Sequence, residues 1–243
     1  YGKPPIDFYG GGTDVAGGTG CTPSCFSLFR GKTGEKVLEF MNPNILPNEL
    51  AVLCVALCQF FVDADGTGAK IAWENHGPGV TFGNKVWNEL KYLRVYVNVN
   101  ESVFGQKVSN KPGFNPLPQA QLLLHTEYRQ ALAERRCINY SEHALAETLN
   151  FKHTDRGGVE HSQYKSKNDP SGARENHGDV VVSDALGWKL VKDVAKLFAA
   201  DAPQVAVPGT LAYLWEQEDR EAKRSKELYP DWSRRLSGVY RGC

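Results

Sequence analysis

Strand-like and helix-like segments alternate along the first half of the chain, and this order restricts the fold more than any other feature. Apolar runs typical of strands lie at 6–9, 25–29, 36–40, 69–73 and 93–97. A helix is predicted at 47–61, where Pro47 occupies a first-turn position that tolerates proline, and another at 80–90. The order is therefore three strands, a helix, a strand, a helix and a strand. It predicts an α/β domain.

The second half of the chain is predicted to be mainly helical. Helices are expected at 118–135, directly after Ser141, and at 178–200; a short strand is expected at 137–140. The Ser141 hydroxyl would cap its helix by accepting from the free amides of the first turn. Between these elements, 151–176 is polar and basic, with a hairpin predicted over Gly157 and Gly158.

The element order is that of a ribonuclease H-like fold, an α/β architecture with a central mixed β-sheet flanked by helices. The domain is predicted to cover 1–200, and 201–243 is predicted to be a peripheral C-terminal tail with a charged helix and few core residues. A chain of 243 residues is long enough to bury one large core. Because it begins with Tyr1 and its single methionine is Met41, we expect it to be a piece of a longer polypeptide.

Composition limits the classes of partner. The formal net charge is +0, so contact with nucleic acid requires a local basic patch and not a field over the whole surface. The hydrophobic content of 41% is ordinary for a globular domain, and no apolar run approaches the ~20 residues of a membrane span. We therefore expect no membrane partner.

The cysteines are spaced as C-x3-C at Cys21 and Cys25 and again at Cys54 and Cys58, a spacing that raises the alternative of a zinc site. Cys54 and Cys58 fall on the apolar stripe of the helix predicted at 47–61, where cysteine behaves as a small hydrophobic residue. We favour this interpretation and a reducing, intracellular compartment.

A glycine-rich stretch, GGGTDVAGGTGCT at 10–22, is the first candidate for a functional loop. Residues 12–19 match the phosphate-binding pattern G-x-x-x-x-G-K-[ST] except that Gly18 replaces the lysine. Without that lysine, the loop lacks the charge that meets nucleotide phosphates. The charge that remains is Asp14, and a carboxylate is better suited to a cation.

Three carboxylates stand at unusual positions. Asp14 follows the first strand, Glu74 ends the strand at 69–73, and Asp179 lies in the first turn of the last helix. Asp179 is one turn before Ser183 on the face predicted to be buried, where a charge costs several kcal/mol unless it is paired or binds a metal. Asp184, by contrast, is predicted to point away from the core into solvent.

Each acid also has an ordinary explanation. Asp179 could stabilise its helix dipole, Glu74 could be an exposed strand-end residue, and Asp14 could belong to a turn. Taken together, however, the three acids would meet at one edge of a ribonuclease H-like sheet, where their joint charge requires divalent cations. Carboxylate ligands suit Mg²⁺ or Mn²⁺, and two such ions can hold the attacking and leaving oxygens of a phosphodiester.

Three stretches give the chain its resemblance to a known family. They are D-V-A-G-G at 14–18, W-E-N-H-G-P-G at 73–79 and N-H-G-D-V-V at 176–181. In this order they resemble the strand-one aspartate, the acid with N-G-P-G, and the H-D-D segment of the C-terminal nuclease domain of tailed-bacteriophage terminase large subunits. The likeness covers about 13–197. Gly178 departs from it, because it replaces one of two adjacent acids. The glycines at 10–12 also interrupt the predicted first strand before Asp14, which leaves Asp7 as an alternative strand-one acid.

The resemblance implies a two-metal-ion endodeoxyribonuclease that cleaves double-stranded, concatemeric viral DNA during genome packaging. Asp14, Glu74 and Asp179 would be both the metal ligands and the catalytic residues, with Mg²⁺ or Mn²⁺ as cofactor. The implied partners are the upstream ATPase domain of the same polypeptide, the portal and the small terminase subunit. The implied location is the host cell cytoplasm.

A DNA-contacting surface is predicted just before the last helix. Its members are basic residues in the polar segment: Lys152, His153, Arg156, His161, Lys165, Lys167 and Arg174. A flexible, solvated loop is the alternative explanation for the same charges. No base-reading element is evident, so we expect cleavage with little sequence preference.

Two other classes of protein use the same kind of sequence. Asp-x-x-Gly-Gly-Thr at 14–19 also resembles the phosphate loop of actin-like ATPases and sugar kinases, which share the ribonuclease H-like fold. A recombination nuclease or resolvase would use the same acids as a terminase. A catalytically silent DNA-binding module is a third alternative.

Overall fold

The computed structural model describes residues 2–100, 107–153, 159–161 and 178–199. The strands are β1 (Tyr9–Asp14), β2 (Ser24–Arg30), β3 (Lys36–Asn42), β4 (Lys70–Trp73), β5 (Val97–Asn100), β6 (Lys107–Pro112), β7 (Phe151–His153) and β8 (Val159–His161). The helices are α1 (Pro47–Phe60), α2 (Pro78–Asn84), α3 (Pro118–Ala133), α4 (Glu142–Leu149) and α5 (Asp179–Ala199). A π-helical segment, Lys85–Glu89, continues α2.

The central sheet has the strand order β3-β2-β1-β4. Strands β1, β2 and β3 are antiparallel neighbours, whereas β4 lies parallel to β1 after the crossover through α1. A parallel bridge between Ile71 and Val95 adds a short fifth position beside β4. This mixed sheet with helices on both faces has the ribonuclease H-like architecture, and the predicted fold class is confirmed.

The two faces of the sheet carry separate cores. On one face, side chains that include Phe26 and Trp73 pack against α1 and α2. On the other, Phe29 and Ala72 pack with α3 and α5, including the fully buried Trp188. Alternate residues of β2 and β4 therefore supply opposite faces, as the pleat of a strand requires. Helix α5 lies directly on β1 and β2.

Glycines 10, 11 and 12 lie within β1 and not in a loop before Asp14, so the predicted interruption of the first strand is wrong. Gly10 and Gly12 allow close contact with α5, and a Cβ on Gly12 would lie 2.0 Å from the Ser183 carbonyl oxygen. Asp7, an alternative strand-one acid, is paired at 2.6 Å with Arg30 before the strand begins. Asp14 is therefore the acid at the end of β1.

Most of the predicted helices are confirmed. α1 has proline in its first turn, and the Ser141 hydroxyl accepts from the Ala144 amide at 3.2 Å at the start of α4. Cys54 and Cys58 are fully buried in α1, which confirms that they serve as small core residues. The long last helix is present as α5.

Two predicted strands differ from the structure. At 137–140, the backbone makes only a single bridge, Ile138 to Glu35, because the segment pairs only with the residue before β3 and does not extend along the strand. At 93–97, only Val95 bridges to β4, and regular pairing begins at Val97 in the β5–β6 hairpin. Among the described residues, no helix is long and apolar enough to cross a membrane. The predicted tail at 201–243 lies outside the described residues, and the division near residue 200 stays a prediction.

Candidate metal centre

Asp14 and Glu74 lie side by side at the carboxyl ends of two parallel strands. Thr13 in β1 is in register with Trp73 in β4, so the next residue of each strand leaves the sheet at the same edge. Neighbouring strands are about 4.8 Å apart, which places the two acids on adjacent backbones. Both side chains are only partly exposed. The parallel pairing thus brings together two acids that are far apart in sequence.

Asp179 reaches the same edge from α5. The helix runs antiparallel to β1, because Gly10 lies against Leu190 and Val191 while Gly12 lies against Ser183. One turn before Ser183, the helix begins at Asp179, beside the end of β1. Asp179 is 6% exposed, which confirms the prediction that this first-turn acid lies on the buried side. The structure therefore brings all three predicted acids to one end of the sheet.

The pKa of Asp14 reflects its proximity to the other two acids. Burial raises the pKa of Asp14 well above its usual value, and the charges of Asp179 and Glu74 raise it further. A hydrogen bond from the Val15 amide opposes the shift. Burial also raises the pKa of Glu74. Placing several carboxylates in a poorly solvated position is costly unless a cation neutralises them.

Glu74 is held by groups from outside its own strand. Gln121 in α3 donates from Nε2 to Glu74 Oε1 at 3.3 Å, and His76 Nδ1 lies 3.8 Å from Oε2. His76 is mainly exposed, with 71% of its side-chain surface accessible. The Glu74 carboxylate is thereby oriented while its surroundings remain open to solvent on one side.

The donor set suits a hard divalent cation, because carboxylate oxygens are the preferred protein ligands of Mg²⁺ and Mn²⁺. Yet no three His, Cys, Asp or Glu side chains in the described part of the chain are grouped closely enough to hold an ion as they stand. Binding an ion would require carboxylate side chains to rotate toward one another. The described residues therefore provide suitable metal ligands, but their carboxylates are not close enough together to coordinate an ion.

Comparison with solved structures identifies the architecture. The large terminase nuclease of thermophilic phage G20c with bound magnesium matches with a TM-score of 0.51 and 16% identity, over 76% of this chain and 82% of that chain. The same nuclease with bound cobalt matches with a TM-score of 0.51 and 15% identity, over 76% and 82%. The chain has the fold of a phage large terminase nuclease. No protein-family model and no curated protein sequence matches it.

Within this terminase nuclease fold, Gly178 takes a position that the family resemblance gives to an acid. Its φ of 78° is in the left-handed region, which glycine adopts without strain. Its carbonyl accepts the first helical hydrogen bond, from Val182 at 3.2 Å. The start of α5 is therefore built around glycine, and Asp179 is the acid that remains there.

The predicted DNA-contacting segment is anchored near the acids. β7 and β8 form an antiparallel pair that contains Lys152, His153 and His161, and Phe151 at its base stacks on His125 with ring centroids 4.8 Å apart. Burial lowers the pKa of His125 to about 4, so this ring is neutral at neutral pH.

His125 is one helical turn from Gln121, the residue that contacts Glu74, so the base of the hairpin lies close to the acids. The remaining predicted contacts, Arg156, Lys165, Lys167 and Arg174, lie outside the described residues, as do the side chains of the hairpin. The proximity of the hairpin to Glu74 therefore rests on backbone positions alone, and the DNA contacts stay predictions.

Asp184 is not solvated, so that prediction is wrong. It is fully buried and its Oδ1 lies 2.6 Å from Nζ of Lys36 in β3. Tyr128 and Asn139 donate to its Oδ2 at 3.0 and 2.8 Å. The helix buries more of its circumference than its apolar stripe indicates, since Trp188 and Ala185 also face the core. Asp184 therefore ties α5 to β3 and α3.

One buried acid beside the site was not predicted from the sequence. Glu147 in α4 is 2% exposed, and its charge raises the pKa of Asp14. The apolar pattern of α4 conceals this burial, because Leu149 is 83% exposed. The spacing of Glu147 three residues after the buried Ala144 is the local signal that could have indicated it.

Proposed function

We propose that this chain is a metal-dependent endonuclease that cleaves double-stranded DNA during packaging of a viral genome. The proposal rests on the position of Asp14, Glu74 and Asp179 at one end of the sheet, where burial and then the charges of the other two acids raise the pKa of Asp14. Bound cations would neutralise the repulsion between these carboxylates. The fold of the G20c nuclease, solved with magnesium and with cobalt, supports the same choice.

Each residue has a distinct task in this proposal. Asp14 and Asp179 supply negative oxygens from β1 and α5, and Glu74 supplies a third from β4. Gln121 orients the Glu74 carboxylate through its hydrogen bond. Two bound Mg²⁺ or Mn²⁺ ions would activate a water molecule and stabilise the leaving oxygen of the phosphodiester. The partial exposure of Asp14 and Glu74 leaves the site accessible to a large substrate.

DNA binding requires the protein to overcome repulsion between its own acids and the DNA phosphates. We propose that the bound cations and the basic segment at 152–174 together provide the attraction. Contacts of this kind are made to the backbone, so cleavage has little sequence preference. The upstream ATPase domain, portal and small terminase subunit would supply timing and specificity in the host cell cytoplasm.

A plasmid assay tests the function directly. With Mn²⁺ or Mg²⁺, the purified chain should convert supercoiled plasmid to nicked and linear forms, and chelator should stop the reaction. Ca²⁺ should support DNA binding without cutting, because its looser coordination does not reproduce the geometry that Mg²⁺ enforces. Glu74→Gln serves as the matched inactive variant. Plasmid that stays supercoiled with every divalent metal, from a folded sample, would refute the proposal.

The recombination-nuclease alternative predicts a different preference from the same acids. A resolvase should cut a four-way DNA junction much faster than linear duplex of equal length. A packaging nuclease should cut both at similar rates. Parallel time courses on the two substrates, at equal Mn²⁺, separate these functions.

A further inference from the structure

Glu147 occupies a position that connects α4 to the candidate metal centre. Its helix packs against the site through Ala144, which forms a small buried cluster with Cys25 and Val180. Cys25 is the register partner of Asp14 in β2, and Val180 directly follows Asp179 in α5. Since Glu147 is three residues after Ala144, it lies on the same face of α4 and faces the same neighbours.

The surroundings of Glu147 do not neutralise it well. Its side chain is 3% exposed, and neither carboxylate oxygen accepts a hydrogen bond from the described residues. Oε1 lies 3.0 Å from Nε2 of His143, a half-exposed residue one turn earlier. A buried carboxylate with so few donors is unfavourable, and the charge of Asp14 adds repulsion.

We infer that Glu147 is a fourth carboxylate of the metal site, contributing from α4 to the negative charge that holds the divalent cation. The inference rests on the proposed function, because it assumes that the centre binds a metal. A cation at the centre offsets the burial and repulsion that Glu147 otherwise experiences. The carboxylate then gains a cationic partner beyond its single contact with the half-exposed His143.

A purely structural role is the competing explanation, in which Glu147 serves its ion pair with His143. Ion pairs at this helical spacing contribute only about 0.3–0.5 kcal/mol when exposed, and His143 is half-exposed. The two roles differ in what each variant does. A structural pair makes His143→Gln and Glu147→Gln equivalent, whereas a metal-site role makes only Glu147→Gln affect metal affinity strongly.

Calorimetric titration of the full chain with Mn²⁺ tests this assignment without relying on cleavage. Glu147→Gln should weaken Mn²⁺ binding by about tenfold or more, the range seen when residues supporting a metal site are changed. The metal-free variant should melt at the same temperature as wild type or higher, because repulsion is relieved. Glu142→Gln, on the same helix and exposed, and His143→Gln should bind Mn²⁺ within about twofold of wild type.

The outcomes separate this inference from the proposed function. If Asp14→Asn abolishes Mn²⁺ binding while Glu147→Gln binds as wild type does, the inference fails and the metal centre stands. If the wild-type chain binds no Mn²⁺, both fail. Equal weakening in Glu147→Gln and His143→Gln overturns the inference in favour of the structural pair. Should Glu147→Gln not fold, Glu147→Asp carries the test: reduced affinity supports the assignment, and unchanged affinity overturns it.

Discussion

Gly12 in β1 touches the backbone of Ser183 in α5, so closely that a Cβ at position 12 would lie 2.0 Å from the Ser183 carbonyl oxygen. This contact lets the helix lie directly on the strand. Because strand and helix run in opposite directions, the same contact brings the end of β1 to the beginning of α5. The meeting of Asp14 and Asp179 thus depends on a glycine that itself has no chemical role.

Gly12→Ala should therefore damage both stability and the site. The added methyl group meets backbone atoms that cannot rotate away, and such overpacking costs about 1–3 kcal/mol or more. Urea denaturation should show a lower midpoint, and Mn²⁺ affinity should fall because the two aspartates separate. Gly17→Ala is the control, since a Cβ there meets only the Thr19 side chain at 3.8 Å. A Gly12→Ala protein as stable as Gly17→Ala would contradict this packing argument.

Asp179→Asn should abolish plasmid cutting without lowering the melting temperature. The change removes a charge from the cluster around Asp14, so the metal-free protein should be equally stable or more stable. If Asp179 only stabilised its helix, the change would cost under about 1 kcal/mol and leave cutting intact. Asp193→Asn, exposed on the same helix, is the control for both measurements. Near wild-type nicking by Asp179→Asn would mean that another acid does the chemistry.

Asp184→Asn should lower the stability of the protein but leave plasmid cutting intact. The change breaks the buried ion pair with Lys36, and breaking such a pair costs about 3–5 kcal/mol. Glu39 also contacts Lys36, so the loss should fall toward the lower end. Chemical denaturation should reveal the loss, while cutting at a temperature where the variant stays folded should persist. Stability equal to wild type would show that Lys36 is compensated by other groups.

The stability of the metal-free protein should depend on pH through Asp14. Its folded-state pKa is raised, so the folded protein binds this proton more tightly than the unfolded chain does. The resulting destabilisation is fully present above the raised pKa, diminishes as pH falls through it, and is absent below the unfolded value. Asp14→Asn should thus be more stable than wild type at neutral pH, with the difference shrinking in acid. Thermal melts across this range, beside Asp193→Asn, measure it; a constant difference would contradict the shift.

The chain should show no measurable affinity for ATP. Gly12 is buried in β1, and the loop after Asp14 leads into β2, so no helix N-terminus follows it to bind an anion as in Walker-type loops. Gly18 also removes the lysine that would meet the phosphates. Calorimetry with ATP and Mg²⁺ is the measurement. Binding at micromolar strength would favour the actin-like or sugar-kinase alternative.

Local patterns were enough to predict most of the element order and the three acids that lie at one end of the sheet. Strand and helix periodicities arise from neighbouring residues, and Asp14, Glu74 and Asp179 each stand at an element boundary that those periodicities define. The parallel pairing of β1 with β4 then follows from the fold class. These patterns therefore predict reliably which residues stand at the ends of strands and helices.

The burial of a side chain by residues that are distant in sequence could not be predicted from local patterns. Asp184 looked solvated because it lies off the apolar stripe of its helix, yet Lys36, Tyr128 and Asn139 enclose it from three other segments. The burial of Glu147 could not be predicted either, because the leucines of α4 face solvent while Glu147 faces the interior. A periodic pattern records which residues are apolar, whereas burial depends on which elements pack together. The sequence alone determined the order of the elements and the acids at their ends; only the tertiary structure decided which charges are enclosed and what neutralises them.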